Sequence, residues 1–455
     1  MKGKLTARVL CLAAAFLAAG CGSRDGLSPK NPVTLTMWHN YGGVLQETMS
    51  DLIDEFNASL GREKGVVISV TLVSASRELN EQLAKIAAGD PGAPKMPDLA
   101  VVYPAAAQVL AKAGLLAPLD PLFTEKELSA YLPRFVEEGR LPDGRLYVFP
   151  VAKSTEALFV NKVFFDRFAA ASGVDIGSLA TFEGLASAAR EYYRWTDGLT
   201  PDVPGDGKTF FTADSWFNIA LVGTAQLGGD FAGSGGLNTG AGEFKKIWEV
   251  SALPAIEGFY AVSDNYSSDL ARTGEIVCSL GSTAGVLFYG DTVTYPDNTR
   301  EKAEYLILPY PVFSNGAKVA LQRGGGVIAA KSTPQKEAAA ALFLKWLTAP
   351  DQNMRFVAST GYLPVTAEAF GKKMAAEIEA AENIALKRLM EAATRIYEDY
   401  DFVVPPNIDG IDDMTRSYET AVKEAMREGR RRAAAGEDAE DVSGELFSAF
   451  VRLWP

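Results

Sequence analysis

Histidine and cysteine, on which much enzyme and metal chemistry depends, are scarce in this sequence. Its 455 residues hold one histidine, His39, and three cysteines, Cys11, Cys21 and Cys278. Any Ser-His-Asp or Cys-His arrangement would have to use His39, and no G-x-S-x-G elbow is present. Zinc catalysis usually draws on two or more histidines or cysteines, so it is nearly excluded, and no metal or cofactor is expected. The phosphate loop G-x-x-x-x-G-K-[ST] is missing, which removes the usual nucleotide cradle. Basic residues are outnumbered, 44 Lys and Arg against 57 Asp and Glu, for a net charge of −13. That balance argues against a nucleic-acid partner and against a broad electrostatic hold on an anionic membrane, while leaving room for a local basic pocket. No internal repeat is visible.

With 47% hydrophobic and 22% charged residues, the composition is that of a soluble globular protein. At 455 residues the chain exceeds one core and calls for two or three lobes. Lys2, Lys4 and Arg8 precede an apolar run from Val9 to Ala19, then Gly20 and Cys21. A basic start with so short an apolar core is expected to be an export signal, residues 1–20, rather than a membrane span. The residues before Cys21, LAAG, resemble a lipobox, in which the cysteine is diacylated and becomes the new N-terminus; Ala18 stands where leucine is usual. Residues 21–31 then suit a flexible lipidated tether. With Cys11 in the leader and Cys21 lipidated, Cys278 is the one free thiol, expected as a small core residue, and no intramolecular disulfide is possible.

Val33, Leu35 and Met37 alternate with Thr34 and Thr36 in a first strand ending at Trp38, followed by a helical stripe at 45, 49, 52, 53 and 56. Strand 66–73, helix 79–88, strand 98–103 and an Ala-rich helix come next. This β-α-β-α-β order predicts a parallel sheet with covering helices and ligands at the carboxyl ends of its strands. Late in the chain, GGGVIAAKSTPQKEAAALFLKWLTAPDQNMRFVASTGYLPV reads as a glycine-opened strand, a helix capped by Thr333 with Pro334 at its first position, a second helix, and a left-handed stop at Gly361. After Val365 the chain is mostly helical. The charged run 428–441 reads as a solvated helix surface or a poorly ordered loop, and 446–454 as an amphipathic piece docked on the second lobe.

The run from Gly324 to Val365, ending in TGYLPV, resembles the late region of the extracellular solute-binding proteins that serve ABC importers, in particular their carbohydrate and glycerol-phosphate branch. The segment GRLYVFPVAKSTEALFVNK resembles the same family where the chain first crosses between lobes. The resemblance implies an α/β two-lobed periplasmic-binding-protein fold with three interlobe crossings and a central ligand cleft. It places lobe I at 32–150 and 279–323, and lobe II at 151–278 and 324–455. It also implies a monomeric, exported lipoprotein that captures a small carbohydrate or polyol, with permease subunits in the membrane and a separate ATPase chain as partners.

Sugar and polyol ligands are held by aromatic rings against C–H faces and by hydroxyl, amide and backbone groups. The strand-end and crossing loops offer these types at His39, Asn40, Tyr41, Ser74, Ser76, Tyr103, Ser154, Thr155, Trp216, Ser282, Thr283, Gly324, Gly325 and Tyr362. His39 is equally readable as a cleft ligand or a satisfied loop residue; Trp38 and Trp346 are assigned to the core. By resemblance, Ser154, Tyr103, Ser282 and Thr283 stand at ligand positions of the glycerol-phosphate branch, and Gly324 and Gly325 match its glycine pair. Those binders hold phosphate with an arginine in a segment resembling DFVVPPNID, where residues 402–407 here have none. Lys153 or Arg323 could substitute, but the missing arginine ranks a neutral glycan or polyol above a glycerol phosphate or its diester. An exported glycosidase using two carboxylates is the alternative of a different class, though no spacing singles out a pair.

Overall fold

A computed structural model describes residues 26–454 apart from 74, 234, 407 and 409. The expected signal segment, residues 1–20, and the expected lipidation site Cys21 lie outside the described residues. The described end of the expected tether is not loose. Leu27 is buried, Asn31 N–H donates to the Ser28 carbonyl at 3.0 Å, and Gln335 holds the Asn31 carbonyl at 2.9 Å. An apolar side chain among polar neighbours gives this segment a reason to pack.

The chain divides into two compact units, one holding residues up to 151 with 326–352, the other 152–325 with 353–455, so it passes from one unit to the other three times. Their main strands, in chain order, are β1 (Val33–His39), β2 (Val66–Leu72), β3 (Leu99–Val102), β4 (Phe149–Pro150), β5 (Glu156–Asn161), β6 (Phe211–Ala213), β7 (Cys278–Ser282), β8 (Tyr305–Leu308) and β9 (Gly326–Ala329). The helices used below are α1 (Val44–Ala58), α2 (Ser76–Ala88), α3 (Pro104–Lys112), α4 (Trp216–Gln226), α5 (Gly242–Glu257), α6 (Ser267–Thr273), α7 (Pro334–Leu347), α8 (Pro350–Ala358), α9 (Ile384–Asp399), α10 (Ile411–Ala434) and α11 (Ala439–Val451).

In the first unit the sheet order is β2-β1-β3-β9-β4. β1 runs parallel to β2 and β3, as the β-α-β pattern requires, while β9 runs antiparallel to β3 and β4. Burial follows position in the sheet. Edge strand β2 exposes Val67, Val70 and Leu72, whereas every residue of β3 is buried, as expected for a strand covered on both faces. The α1 stripe buries Met49, Leu52, Ile53 and Phe56. Trp38 joins the core with Leu79, Leu83, Val102 and Ile328.

The second unit is built on the sheet β8-β5-β7-β6, in which β5 is antiparallel to β7 and β8, and β6 is parallel to β7. This pairing corrects the expected lobe boundaries. Residues 279–323 were expected in the first lobe, but β7 and β8 flank β5 and are hydrogen-bonded to it, which fixes them in the second unit. Conversely α7, expected to brace the second lobe, belongs to the first: its Phe343 meets Phe56 of α1 edge-on at 5.1 Å, and its Lys336 pairs with Asp98 at 2.7 Å. Thr333 does cap α7, accepting from Lys336 N–H at 3.3 Å, with Pro334 at the first position. Trp346, assigned to the core, is only half-buried and packs on Phe56 at 5.4 Å.

The C-terminal helices close the second unit. α10 and α11 pack on α5 through Tyr418, Val422, Met426, Val442 and Phe450, and Trp248 Nε1–H donates to Ser443 Oγ at 2.9 Å. The charged run 428–441 is mostly helix surface, with Arg431 paired to Glu428 and Arg432 to Glu437 and Glu445. Cys278 is a core residue, its thiol pushed up well above the usual range by burial.

Candidate functional site

Each unit gathers candidate residues at one edge of its sheet. In the first, the carboxyl ends of the neighbouring strands β1 and β3 deliver His39 and Tyr103, and the register of β9 on β3 and β4 brings Gly326 beside Val102 and Pro150. Tyr103, the residue before α3, is 46% exposed and available to a ligand. Asn40 and Tyr41 are half-buried in the loop after β1. His39 is fully buried: its carbonyl accepts from Val73 N–H at 2.9 Å, its Nδ1 from Tyr41 N–H at 3.3 Å, and its ring meets that of Tyr41 at 5.1 Å. Nε2 has no partner among the described residues. Burial without a compensating charge lowers the imidazole pKa to about 4, so the ring is neutral at physiological pH. His39 is thus packed and orients Tyr41, but its Nε2, unpaired among the described residues, departs from the satisfied loop residue that the sequence offered as one reading. Ser74 lies outside the described residues, and Ser76 opens α2.

At the corresponding edge of the second unit stand the start of β5, the ends of β6 and β7, and the strand-like segment around Arg323. Ser154 and Arg323 exchange backbone hydrogen bonds at 2.9 and 2.8 Å, and Thr155 and Thr283 lie side by side, with Thr283 N–H on the Thr155 carbonyl at 2.9 Å. Ser154, Thr155 and Thr283 are buried, while Ser282 is half-buried and caps the short 3-10 turn that follows, accepting from Ala284 N–H. Gly324 has φ +101°, and a Cβ there would meet the Ala152 carbonyl at 2.9 Å and Lys153 Cα at 3.0 Å. The glycine is therefore demanded by the neighbouring backbone. Gly325, beside it, is half-buried. Gly361, at φ +76°, ends α8 as expected and packs against the Thr283 carbonyl, so Tyr362 follows half-buried against Phe356, ring centroids 6.2 Å apart.

Trp216 is corrected from candidate to core. It is 2% exposed, stacks on Tyr260 at 6.5 Å and meets Phe211 edge-on, because it opens α4 directly beneath the sheet. The residues 319–321 and 401–403 pair as parallel strands, so the arginine-free segment 402–407 begins as part of this unit's framework.

Two features of this edge were not singled out from sequence. One is Glu156, 2% exposed, whose Oε1 accepts from Arg323 Nη1 at 2.7 Å and Asn218 Nδ2 at 2.7 Å. Burial raises its pKa, and the Arg323 charge and the Asn218 bond oppose that rise. The signal was present: a lone carboxylate inside the apolar run ALFV of KSTEALFV asks for a buried partner. The other is a pair of exposed aromatic residues, Phe288 at 62% and Tyr266 at 75%. Phe288 ends the 3-10 turn after β7, and Tyr266 precedes Ser267, which bonds Asp214 at the end of β6 and Tyr289 beside Phe288. Lys153, a candidate phosphate ligand, is buried with Nζ donating to the Gly324 carbonyl at 2.8 Å.

Comparison with known proteins matches residues 51–385 to the family described as bacterial extracellular solute-binding protein. The sn-glycerol-3-phosphate-binding periplasmic protein UgpB of Rhizobium meliloti is 24% identical over 358 residues, covering 74% of this chain and 76% of its own. Among solved structures, UgpB from Mycobacterium tuberculosis in complex with glycerophosphocholine aligns at TM-score 0.68 and 15% identity over 93% of this chain and 99% of that one. The cyclic alpha-maltosyl-1,6-maltose binding protein from Arthrobacter globiformis aligns at TM-score 0.67 and 19% identity over 92% and 98%. At these identities the structural likeness establishes the two-lobed α/β fold.

Proposed function

The chain belongs to the bacterial extracellular solute-binding proteins, and from that premise we propose that it captures a neutral carbohydrate or polyol outside the cytoplasm for an ABC importer. It acts as a binding protein without catalysis of its own and hands the ligand to permease subunits whose energy comes from a separate ATPase chain. The candidate ligand contacts of the first unit are Asn40, Tyr41 and Tyr103; those of the second, taken by itself, are Ser282, Tyr362, Tyr266 and Phe288. Rings of this exposure give flat apolar faces for sugar C–H groups, and the hydroxyl and amide groups match sugar hydroxyls.

The observation that carries the neutral ligand is the engagement of the two cations best placed to take a phosphate. Lys153 is sealed against the Gly324 carbonyl and Arg323 is paired with Glu156. The Arg323 charge is already matched by the buried Glu156 carboxylate, so a phosphate ester reaching its exposed side would meet a cation whose charge is largely spent. Similarity to glycerol-phosphate binders supports a second reading, in which a glycerol phosphate or its diester is bound. A thermal-shift screen of the purified protein separates them. Mono- or oligosaccharides or polyols are expected to raise the melting temperature, since a ligand that binds only the folded state stabilises it. A rise with sn-glycerol 3-phosphate or glycerophosphocholine alone selects the second reading.

The protein is further assigned as a monomeric lipoprotein, exported by its N-terminal signal and held at the membrane by diacylated Cys21. Cys21→Ser should release it from membranes, and continued partitioning into detergent would contradict the anchor.

A further inference from the structure

The α4 helix of the second unit begins directly after β6, at the same sheet edge as Ser282 and Glu156, and its first turn is bracketed by two carboxyl groups brought from distant parts of the chain. Glu156 of β5 accepts from Asn218 in that turn. On the other side, Glu419 of α10 lays its Oε1 on the helix start, accepting from Ser215 Oγ–H at 2.7 Å and Phe217 N–H at 2.9 Å. Its Oε2 is buried with no hydrogen-bond partner among the described residues. Beside it lies a cavity of about 280 Å³, lined by Arg416, Lys423 and Arg427 together with Asp264, Glu419 and Glu424. Asp264 pairs with Arg427 at 2.7 Å and with Lys423 at 3.5 Å.

N–H groups and a hydroxyl at the start of an 11-residue helix are donors by which proteins hold phosphate and other oxyanions; the cations alongside are themselves matched, Lys423 and Arg427 by Asp264 and Arg416 by Asp413. Here the donors are spent on a side chain. The carboxyl group consumes them whether or not it is ionised, and an ionised one adds repulsion toward a second anion. Burial raises the Glu419 pKa, while the bonds from Phe217 and Ser215 and the Lys423 charge oppose it.

Resting on the function proposed above, we propose that Glu419 is a specificity-determining residue. It occupies the oxyanion position at the start of α4 and so bars phosphate-bearing ligands from this edge of the second unit. A long C-terminal helix thereby supplies a built-in anion where a phosphate ester would otherwise bind, and the edge is left to hydroxyl-bearing ligands.

The test is calorimetric titration of inorganic phosphate into the purified wild type and into Glu419→Ala, with chloride at matched ionic strength as control. Glu419→Ala is expected to bind phosphate roughly tenfold more tightly than wild type or better, a gain of the size a helix terminus gives an anion. Acetate, a carboxylate small enough to replace the missing side chain, should restore part of the lost melting temperature of Glu419→Ala while leaving wild type unchanged. A variant that unfolds cooperatively yet binds phosphate no better than wild type overturns the assignment, as does a wild type that already binds phosphate as tightly as the variant. Should the alanine variant not fold, Glu419→Asp, which withdraws the carboxyl by one methylene, is expected to show a smaller gain; a folded Glu419→Asp with none is equally contrary. Failure of sugars to stabilise the wild type would instead count against the proposed function and leave the Glu419 outcome to be read separately.

Discussion

His39 shows most clearly how a residue's burial decides its chemistry. As the sole histidine, it gives one set of imidazole proton resonances, and their titration is expected near pH 4 instead of 6.5. Because the folded pKa lies below the unfolded one, the unfolded chain takes up a proton that the folded chain refuses between these values. Stability is therefore full above pH 6.5 and falls as pH drops toward 4, by about 3 kcal/mol in total. An imidazole titrating at its ordinary value would place His39 at an open surface. The Glu156–Arg323 pair makes a second, asymmetric prediction. Arg323 is about a third exposed and Glu156 nearly sealed, so Arg323→Met strands a buried carboxylate while Glu156→Leu leaves a guanidinium that can reach water. Arg323→Met should cost about 3 kcal/mol in urea unfolding near pH 7, clearly more than Glu156→Leu. Its penalty should shrink in acid, because the raised pKa of Glu156 means the folded state favours the protonated form and loses stability as pH rises. Equal costs for the two variants would show that burial is not what separates them. In sequence, Glu156 was legible as an anomaly in a strand; Glu419 was not, since an acidic residue on an amphipathic helix gives no sign of which contact it makes.

At the scale of elements, periodicity and caps carried far. The alternation of β1, the stripe of α1, the Thr333 cap and the left-handed Gly361 all follow from local rules that need no knowledge of the rest of the chain. What local rules miss is which unit an element joins. The late strand-helix run begins with β9, which pairs with β3 and β4, so α7 belongs to the first unit, while α8 carries the chain into the second. Pairing between strands more than a hundred residues apart leaves no mark in either strand's own sequence. Gly324, just before β9, is a ligand candidate by sequence, and its surroundings add a packing reason for glycine, since a Cβ would meet the Ala152 carbonyl and Lys153 Cα. Gly324→Ala should cost about 2 kcal/mol in unfolding free energy, combining positive-φ strain with a clash at the Ala152 carbonyl. A neutral effect would mean that this crossover is not the rigid segment its contacts describe.

For the whole molecule, the chain divides into two compact units and passes between them three times. The scarcity of histidine and cysteine narrows the covalent and metal chemistry open to it before any fold is considered. The ligand was harder to read, because hydroxyl, glycine and tyrosine positions suit a sugar and a phosphate ester alike. The distinction rests on where charges are spent: Lys153 on a carbonyl, Arg323 on Glu156, and the start of α4 on Glu419. The most direct measurement is calorimetric titration of the purified protein with oligosaccharides and polyols, and with sn-glycerol 3-phosphate and glycerophosphocholine, each at low and high salt. Saturable binding of an uncharged carbohydrate or polyol, with an affinity that hardly changes with salt, is the predicted result. Tight, salt-weakened binding of a glycerol phosphate with no response to any uncharged ligand would contradict it.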